Sequence, residues 1–199
     1  AFQSVDEYKP LMQSPTGPSE VNFVDSWRYN VAAYRLAGLL GLAGMMPVTI
    51  EYRFRGARGS LAWWMESLMD ERERLKKGVR PPDPEAWNED MLRQRVFMEL
   101  VHDTDRNLGN VLVSPDWRVI MIDFTRAFRL WPTIRANELT RIDRALLGRL
   151  DQLTREAVEA VTADCLTPGE LGAVMKRRDL IVSHYRARVK QLGEVRVLY

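Results

Sequence analysis

The sequence predicts an α+β fold of two lobes, in which residues 1–66 form a small N-terminal lobe and residues 67–199 form a mostly helical C-terminal lobe. Patterns typical of short strands fall mainly before residue 66, whereas helical patterns dominate after residue 67. The exception is the stretch from Val101 to Phe128, in which a turn separates two short apolar runs. A chain of 199 residues is long enough for one domain, or for two small lobes with a real core.

The composition is that of an ordinary globular protein, with 46% hydrophobic and 28% charged residues. The net charge of +2 gives no reason to expect nucleic-acid binding. Cys165 is the single cysteine, which excludes an internal disulfide framework. No apolar run approaches the roughly 20 residues that span a bilayer. No signal peptide is visible, so we expect a cytoplasmic location, although a chain that starts at Ala1 indicates processing or trimming.

The elements of the N-terminal lobe are predicted from local signals. Asp25 or Ser26 can cap a first helix, and Gly44 is where we expect that helix to stop. The predicted elements in chain order are strand residues at 1–2, a loop at 14–19, strand residues at 21–24, the helix at 25–44, and strands at 48–54 and 60–65 with a turn between them.

The C-terminal lobe is predicted to be helical. The run of alternating charges from Asp70 to Lys77 is typical of a solvated helix face. Thr167 is a good N-cap for the last helix because Pro168 follows at its first position and Glu170 stands at its third. The predicted helices are at 67–80, 85–102, 138–149, 151–163 and 168–192.

Three polar residues surround the hairpin predicted between Val101 and Phe128. Asp105 precedes it, Asn110 follows five positions later, and Asp123 stands thirteen positions beyond that. Because the two strands are short, Asn110 and Asp123 should lie at the same end of the hairpin. In phosphoryl transfer, one carboxylate orients the attacking hydroxyl, while an amide and a second carboxylate hold metal ions that bridge nucleotide phosphates.

The alternative is that these three residues are turn and strand-end residues, because Asp and Asn side chains often bond nearby backbone amides. That interpretation accounts for each residue singly. It does not explain why Asp123 ends the otherwise apolar run from Val119 to Ile122.

The pattern D-x-x-x-x-N followed by I-D-F resembles the catalytic and metal-binding loops of the protein-kinase-like superfamily. The segment from Asp105 to Asn110 is closest to the D-R-x-x-x-N form of phosphatidylinositol 3-/4-kinases and of the secreted casein-type kinases. The segment from Met121 to Phe128 resembles bacterial proteins of the phosphatidylinositol-kinase-like group. The resemblance implies a two-lobed protein-kinase-like fold with an abbreviated N-lobe.

The resemblance also implies a function, which is transfer of the γ-phosphate of ATP to a hydroxyl, with Mg²⁺ or Mn²⁺. Asp105 would be the catalytic base, and Asn110 and Asp123 the metal ligands. The hinge that bonds adenine in this superfamily would fall near Trp63 and Met65, although the two neighbouring tryptophans can also be explained as core residues. The acceptor, whether protein, lipid or small molecule, is not readable from the sequence.

The sequence departs from the superfamily pattern where the phosphates would be positioned. Lys9 is the only lysine before the first helix and is therefore the candidate for the phosphate-binding lysine. Gln3 stands where a strand lysine is expected, and Asn30 stands where the helix should supply a glutamate. Glu20 and Asp25 are possible substitutes for that glutamate.

Further departures lie around the loops. No glycine-rich hairpin precedes the first helix, and Thr125 replaces the usual glycine after the metal-binding Asp-Phe, which makes a flipped-out loop less accessible. Asp103 is an extra acid that we expect to bond backbone amides. Arg126 and Arg129 would either contact an anionic substrate or be solvated. These departures keep two alternatives open: a pseudokinase that serves as a nucleotide-binding or scaffold module, and a nucleotidyltransferase.

Overall fold

The computed structural model describes residues 1–13 and 19–199, so most of the loop predicted at 14–19 lies outside the described residues. The described strands form three antiparallel sheets, with the orders β1-β5-β4, β2-β3 and β6-β7-β8. Their bounds are β1 Phe2–Gln3, β2 Asp6–Met12, β3 Glu20–Ser26, β4 Thr49–Phe54, β5 Ala57–Ala62, β6 Met69–Asp70, β7 Val111–Val113 and β8 Val119–Met121.

The helices dominate the chain after residue 70, as predicted. Three short 3₁₀ segments, Ala43–Met45, Leu108–Asn110 and Ala136–Glu138, connect the larger elements. The α-helices are α1 Trp27–Leu39, α2 Glu71–Lys77, α3 Pro84–Val101, α4 Arg144–Gln152, α5 Arg155–Thr162, α6 Pro168–Leu192 and α7 Glu194–Val197. No described helix is both long enough and apolar enough to cross a membrane.

Several predicted boundaries were wrong for local reasons. The second strand begins at Ala57 rather than residue 60, because Arg55 and Gly56 form a two-residue turn with φ of 48° and 86°. Positive φ at both central positions matches the right-handed twist of the strands and makes the hairpin tight. Helix α1 ends at Leu39 rather than near Gly44, because the chain turns at Gly41, where φ is 70°.

Helix α1 is the most deeply packed element of the N-terminal part. The Ser26 hydroxyl caps it by accepting a hydrogen bond from the Arg28 amide, as predicted. One flank contacts β4 and β5, and the other contacts α5. The fully buried side chains of Val31 and Leu36 belong to a core that continues into the helical part. Burial on both flanks fixes α1 relative to the sheet and the C-terminal helices.

Helix α3 delivers the chain to the segment that resembles a catalytic loop. Asp83 caps its start, with Pro84 at its first position, and it ends at His102, whose φ is 46°. After the loop, β7 and β8 pair in the register Val111↔Met121. The register places Asn110 and Ile122 opposite each other, so the hairpin predicted from the sequence is confirmed.

Helices α4 and α5 begin later than predicted, whereas α6 begins at Pro168, as predicted. Asp143 caps α4 by accepting from the Leu146 amide at 2.9 Å, which moves the start of that helix to Arg144. Helix α6 has the predicted capping box: the Glu170 amide donates to the Thr167 hydroxyl, and the Thr167 amide donates to the Glu170 carboxylate.

Candidate active site

The residues of the segment that resembles a catalytic loop are held by short-range hydrogen bonds. The Asp105 amide donates to Asp103 Oδ1 at 3.0 Å, and Asn107 Nδ2 donates to Asp105 Oδ1 at 3.0 Å. Asn110 Nδ2 donates to the Asp105 carbonyl at 3.2 Å. Because that contact uses the nitrogen of the Asn110 amide, its side-chain oxygen is the atom left for a ligand.

A backbone hydrogen bond joins the two strands at the open end of the β7–β8 hairpin. The Ile122 amide donates to the Asn110 carbonyl at 3.0 Å, so Asn110 and Asp123 lie at the same end, as the spacing predicts. Asp123 adopts a φ of 57°, which is uncommon for a residue other than glycine. The Thr125 hydroxyl donates to Asp123 Oδ1 at 3.1 Å, so the threonine that replaces glycine orients this carboxylate.

Asp103 adds a third carboxylate beneath the loop. It is 3% exposed, and its Oδ2 has no hydrogen-bond partner in the described part of the chain. Burial is the main reason that the pKa of Asp103 is raised to about 6. The charges of Asp105 and Asp123 contribute to this rise, and the Asp105 amide and Arg106 oppose it. Asp103 Oδ1 bonds a backbone amide, as predicted. Its Oδ2 is unpartnered and is subject to the negative charges of Asp105 and Asp123.

Two cavities flank this hairpin end. Trp63, Met65 and Asp123 line one of about 300 Å³, which Met121 and Phe124 also border. Asp105 and Asn110 line the other, of about 220 Å³, on the side of α3. The structure therefore brings the predicted hinge and Asp123 together, and brings Asp105 and Asn110 together, with the Asn110–Ile122 hydrogen bond between the two groups.

The exposure of the tryptophans corrects one alternative. Trp63 is 74% and Trp64 is 78% exposed, so neither is a core residue. They follow β5 directly and line the 300 Å³ cavity. The Trp63 amide donates to the Val48 carbonyl at 2.8 Å, which holds this segment beside the cavity.

The positions of the missing lysine and glutamate are occupied by an amide pair. Asn30 Nδ2 donates to Gln3 Oε1 at 2.6 Å and to the Ser60 hydroxyl at 3.1 Å. Asn30 Oδ1 accepts from the Phe124 amide at 2.7 Å. Sequence reasoning found both positions but not this connection to Phe124, which joins residues 94 positions apart and leaves no local signal.

Lys9 does not join the other predicted site residues. It lies on β2, pairs with Glu7 at 3.0 Å and is not among the residues that line either cavity. The proposed substitute Glu20 pairs with Arg126 and Arg129, each at 2.6 Å, so it does not face Lys9 or Gln3 through an ion pair. Those contacts also mean that the two arginines are neither solvated nor unpaired, because a carboxylate neutralises them.

The donor set fits a divalent cation that shares its coordination with a ligand. Asn110 offers an amide oxygen and Asp123 a carboxylate, both of which suit Mg²⁺. Within residues 1–13 and 19–199 no three His, Cys, Asp or Glu side chains are grouped to hold a metal by themselves. Magnesium often takes one or two carboxylates and completes its shell with phosphate oxygens and water, so this set is sufficient.

A larger cavity, about 880 Å³, lies elsewhere, between the β2–β3 hairpin and the α5–α6 connection. Tyr8, Trp131 and Glu170 are among its lining residues, and none of the predicted site residues lines it. Its size alone does not make it the active site, because the candidate metal ligands Asn110 and Asp123 lie at the end of the β7–β8 hairpin instead.

Comparison with known proteins agrees with the fold. No family model and no curated protein sequence matches the chain. Among solved structures, it is similar to a Fam20 protein of hydra determined with sugar, at a TM-score of 0.65 and 14% identity, covering 98% of this chain and 81% of that one. It is also similar to a Golgi casein kinase, at a TM-score of 0.63 and 12% identity, covering 94% of this chain and 66% of that one.

Both neighbours have a protein-kinase-like fold, and so does this chain. At these identities the similarity shows the fold alone. The predicted protein-kinase-like fold is confirmed. The family relations to the casein-type kinases and to the bacterial phosphatidylinositol-kinase-like group, and the lobe boundary at residue 66, stay predictions.

Proposed function

We propose that the chain is an ATP-dependent phosphotransferase with a two-lobed protein-kinase-like architecture and an abbreviated N-lobe, which transfers the γ-phosphate to a hydroxyl. The observation that carries this proposal is the linkage of Asp105, Asn110 and the residue before Asp123. Asn110 donates through its side chain to Asp105 and accepts through its carbonyl from Ile122. A single residue thus sets the positions of the proposed base and of both proposed metal ligands.

The proposed roles follow from the remaining free atoms. Asp105 Oδ1 accepts from Asn107, which fixes the carboxylate and leaves Oδ2 to orient an acceptor hydroxyl. Asn110 and Asp123 would hold Mg²⁺ or Mn²⁺, and the cation would neutralise charge on the β- and γ-phosphates. The adenine would lie against Trp63 and Met65 in the 300 Å³ cavity. The acceptor would be a hydroxyl of a protein, a lipid or a small molecule.

The second candidate is a pseudokinase that binds a nucleotide without transferring phosphate. The neutral Gln3–Asn30 pair favours it, because an active kinase normally positions the α- and β-phosphates with a lysine paired to a glutamate. Against it stand Asp105, Asn110 and Asp123, since a scaffold has no need of a hydroxyl-orienting carboxylate beside metal ligands.

The test combines binding and turnover on the full chain. Thermal unfolding with ATP plus Mg²⁺ should shift upward relative to ATP alone, because a ligand that binds only the folded state stabilises it. Asp123→Ala should abolish this shift without unfolding the protein. Asp105→Asn should keep the shift but reduce ATP turnover by about 10²–10⁴, the usual contribution of a positioned base.

Asp179→Asn, which removes an exposed carboxylate on α6, is the control and should change neither measurement. A parent protein with no metal-dependent shift contradicts the proposed site. A shift without turnover in any variant, tested with Mg²⁺ and with Mn²⁺, favours the pseudokinase instead.

A further inference from the structure

A lysine–glutamate pair at this position would anchor helix α1 and also supply a positive charge for the phosphates. The Gln3–Asn30 pair performs only the first of these two tasks. Asn30 is 7% exposed, and its three hydrogen bonds join β1, β5 and the loop after Asp123 to helix α1. The pair therefore fixes the helix against the metal-binding loop. Both partners are neutral amides, so the pair supplies no positive charge to the cavity it borders.

The cavity beside this pair receives no positive charge from other side chains either. Asp123 is the only side chain with a formal charge among the described residues that line it, and no lysine or arginine is among them. Ala1 also lines it, and its amino group, which donates to the Ala62 carbonyl at 2.7 Å, carries a positive charge. Arg95 and Arg106 line the neighbouring cavity of Asp105 and Asn110, where Arg106 is paired with Glu99. Lys9 and Arg126, considered above, are paired with Glu7 and Glu20.

We propose that this site binds nucleotide phosphates through divalent cations rather than through a lysine, with the Gln3–Asn30 pair as a neutral positioning element that replaces the lysine–glutamate pair. The proposal rests on the proposed function and specifies how that site recognises its nucleotide. A metal-free triphosphate would bring several negative charges to a cavity whose one charged side chain is a carboxylate, which is unfavourable. The uncharged nucleoside meets no such repulsion.

The amide of Gln3 retains one polar role. Its Oε1 accepts from Asn30, which leaves the Nε2 donors available to a ligand oxygen. A neutral donor of this kind can orient a phosphate or a ribose hydroxyl without contributing a unit charge. The site therefore discriminates strongly between the metal complex of a nucleotide and the free nucleotide.

The experiment compares three ligands: adenosine, ATP in EDTA, and ATP with Mg²⁺. Trp63 and Trp64 border the cavity and are largely exposed, so quenching of tryptophan fluorescence reports binding, and calorimetry provides an independent dissociation constant. In the parent protein, ATP in EDTA should bind at least about tenfold more weakly than ATP with Mg²⁺, and no more tightly than adenosine.

Gln3→Lys should strengthen the binding of ATP in EDTA by about tenfold or more, because one ammonium group near the phosphates changes the interaction by at least that factor. It should leave adenosine binding unchanged. Asn30→Glu combined with Gln3→Lys restores an oppositely charged pair, which keeps the test valid if the single variant is unstable. Gln152→Lys adds the same charge at an exposed position on α4 and should change neither constant.

Two results would overturn the inference while leaving the proposed function intact. One is equal affinity of the parent for ATP with and without Mg²⁺. The other is a folded Gln3→Lys protein, alone and with Asn30→Glu, that binds ATP in EDTA no better than the parent does. If neither adenosine nor ATP binds the parent or the variants, the proposed function fails and this inference fails with it.

Discussion

Asp103 is the residue at which the local chemistry of the site is most strained electrostatically. Its Oδ1 accepts from the Asp105 amide, but its Oδ2 is buried without a partner beside two further carboxylates. Burial of a carboxylate disfavours its charged form, and neighbouring negative charge adds to that effect. The folded protein therefore holds the Asp103 proton more tightly than the unfolded chain does.

We predict that Asp103→Asn becomes more stable than the parent as pH rises. The pKa of Asp103 is raised from 3.8 to about 6, so its stabilising protonated form is fully present below about pH 4 and is lost as pH passes about 6. The asparagine stays neutral and still offers an oxygen to the Asp105 amide. A shift of about two pKa units corresponds to about 3 kcal/mol at pH 8.

Urea unfolding of both proteins at pH 4, 6 and 8, in EDTA, measures this difference. The variant should gain relative to the parent between pH 4 and pH 8, and Asp179→Asn is the control for loss of an exposed carboxylate. A difference in unfolding free energy that does not change with pH would contradict the prediction.

At the scale of the elements, one buried carboxylate fastens the β7–β8 hairpin to helix α3. Asp90 is fully buried and accepts from Arg118 Nε at 2.7 Å and Nη2 at 2.8 Å, from the Val119 amide at 3.3 Å and from Arg93 Nη1 at 3.0 Å. Arg93 in turn bonds Asp143, which caps α4. The hairpin that carries the candidate metal ligands is thus fixed to two helices.

We predict that Asp90→Asn destabilises the protein by about 3–5 kcal/mol at neutral pH, because it removes one partner of a buried ionic network. Burial raises the pKa of Asp90, but the hydrogen bonds and charge of Arg118, with the Val119 amide and Arg93, outweigh it and hold the pKa below 3.8. The stabilisation is therefore present above pH 3.8 and is lost as pH falls through the lowered pKa.

Chemical unfolding at pH 7 and pH 3 measures this effect, and the loss should be smaller at the lower pH. The matched control is Glu89→Gln on the same helix, whose carboxylate lies 3.6 Å from Arg93 and is partly exposed. That variant should lose less than about 1 kcal/mol. Equal losses in the two variants would show that Asp90 contributes no more than an exposed ion pair does.

The sequence predicts those elements whose determinants are local. The capping box at Thr167 and Glu170 and the hairpin between Asn110 and Asp123 each depend on residues close together in the chain, and both are present. The start of β5 was misplaced because a turn at Arg55 and Gly56 is two residues long, and the sequence also permits a longer one. Propensity alone does not distinguish those lengths.

The contacts that define the site's electrostatics join distant parts of the chain, so they could not be predicted from local sequence patterns. Asn30 meets Gln3 and the Phe124 amide only after α1 has packed between the sheet and the helices. The sequence predicts Lys9 as the phosphate-binding lysine because it is the only lysine before α1. It instead pairs with Glu7, two positions away on β2, because alternate residues of a strand share one face.

At the scale of the whole molecule, Arg177 connects three regions that are far apart in sequence. It is fully buried on α6, and its Nε donates to the Leu100 carbonyl at 2.7 Å, at the end of α3. Its Nη1 donates to the carbonyls of Arg129 at 2.7 Å and Trp131 at 2.8 Å, after the metal-binding loop. Burial lowers the pKa of Arg177 to about 10, so it remains protonated at neutral pH.

We predict that Arg177→Met destabilises the protein by at least about 3 kcal/mol, because three carbonyls lose their donor and each unpaired buried group costs about 1–3 kcal/mol. Lys176→Met is the control, since it places the same side chain at an exposed position of the same helix. Equilibrium unfolding measures the loss, and hydrogen exchange should be faster in residues 129–135, which Arg177 holds against α6. A loss below about 1 kcal/mol would mean that the carbonyls find other donors. Unchanged exchange in that segment would mean that Arg177 does not hold the chain that follows the metal-binding loop.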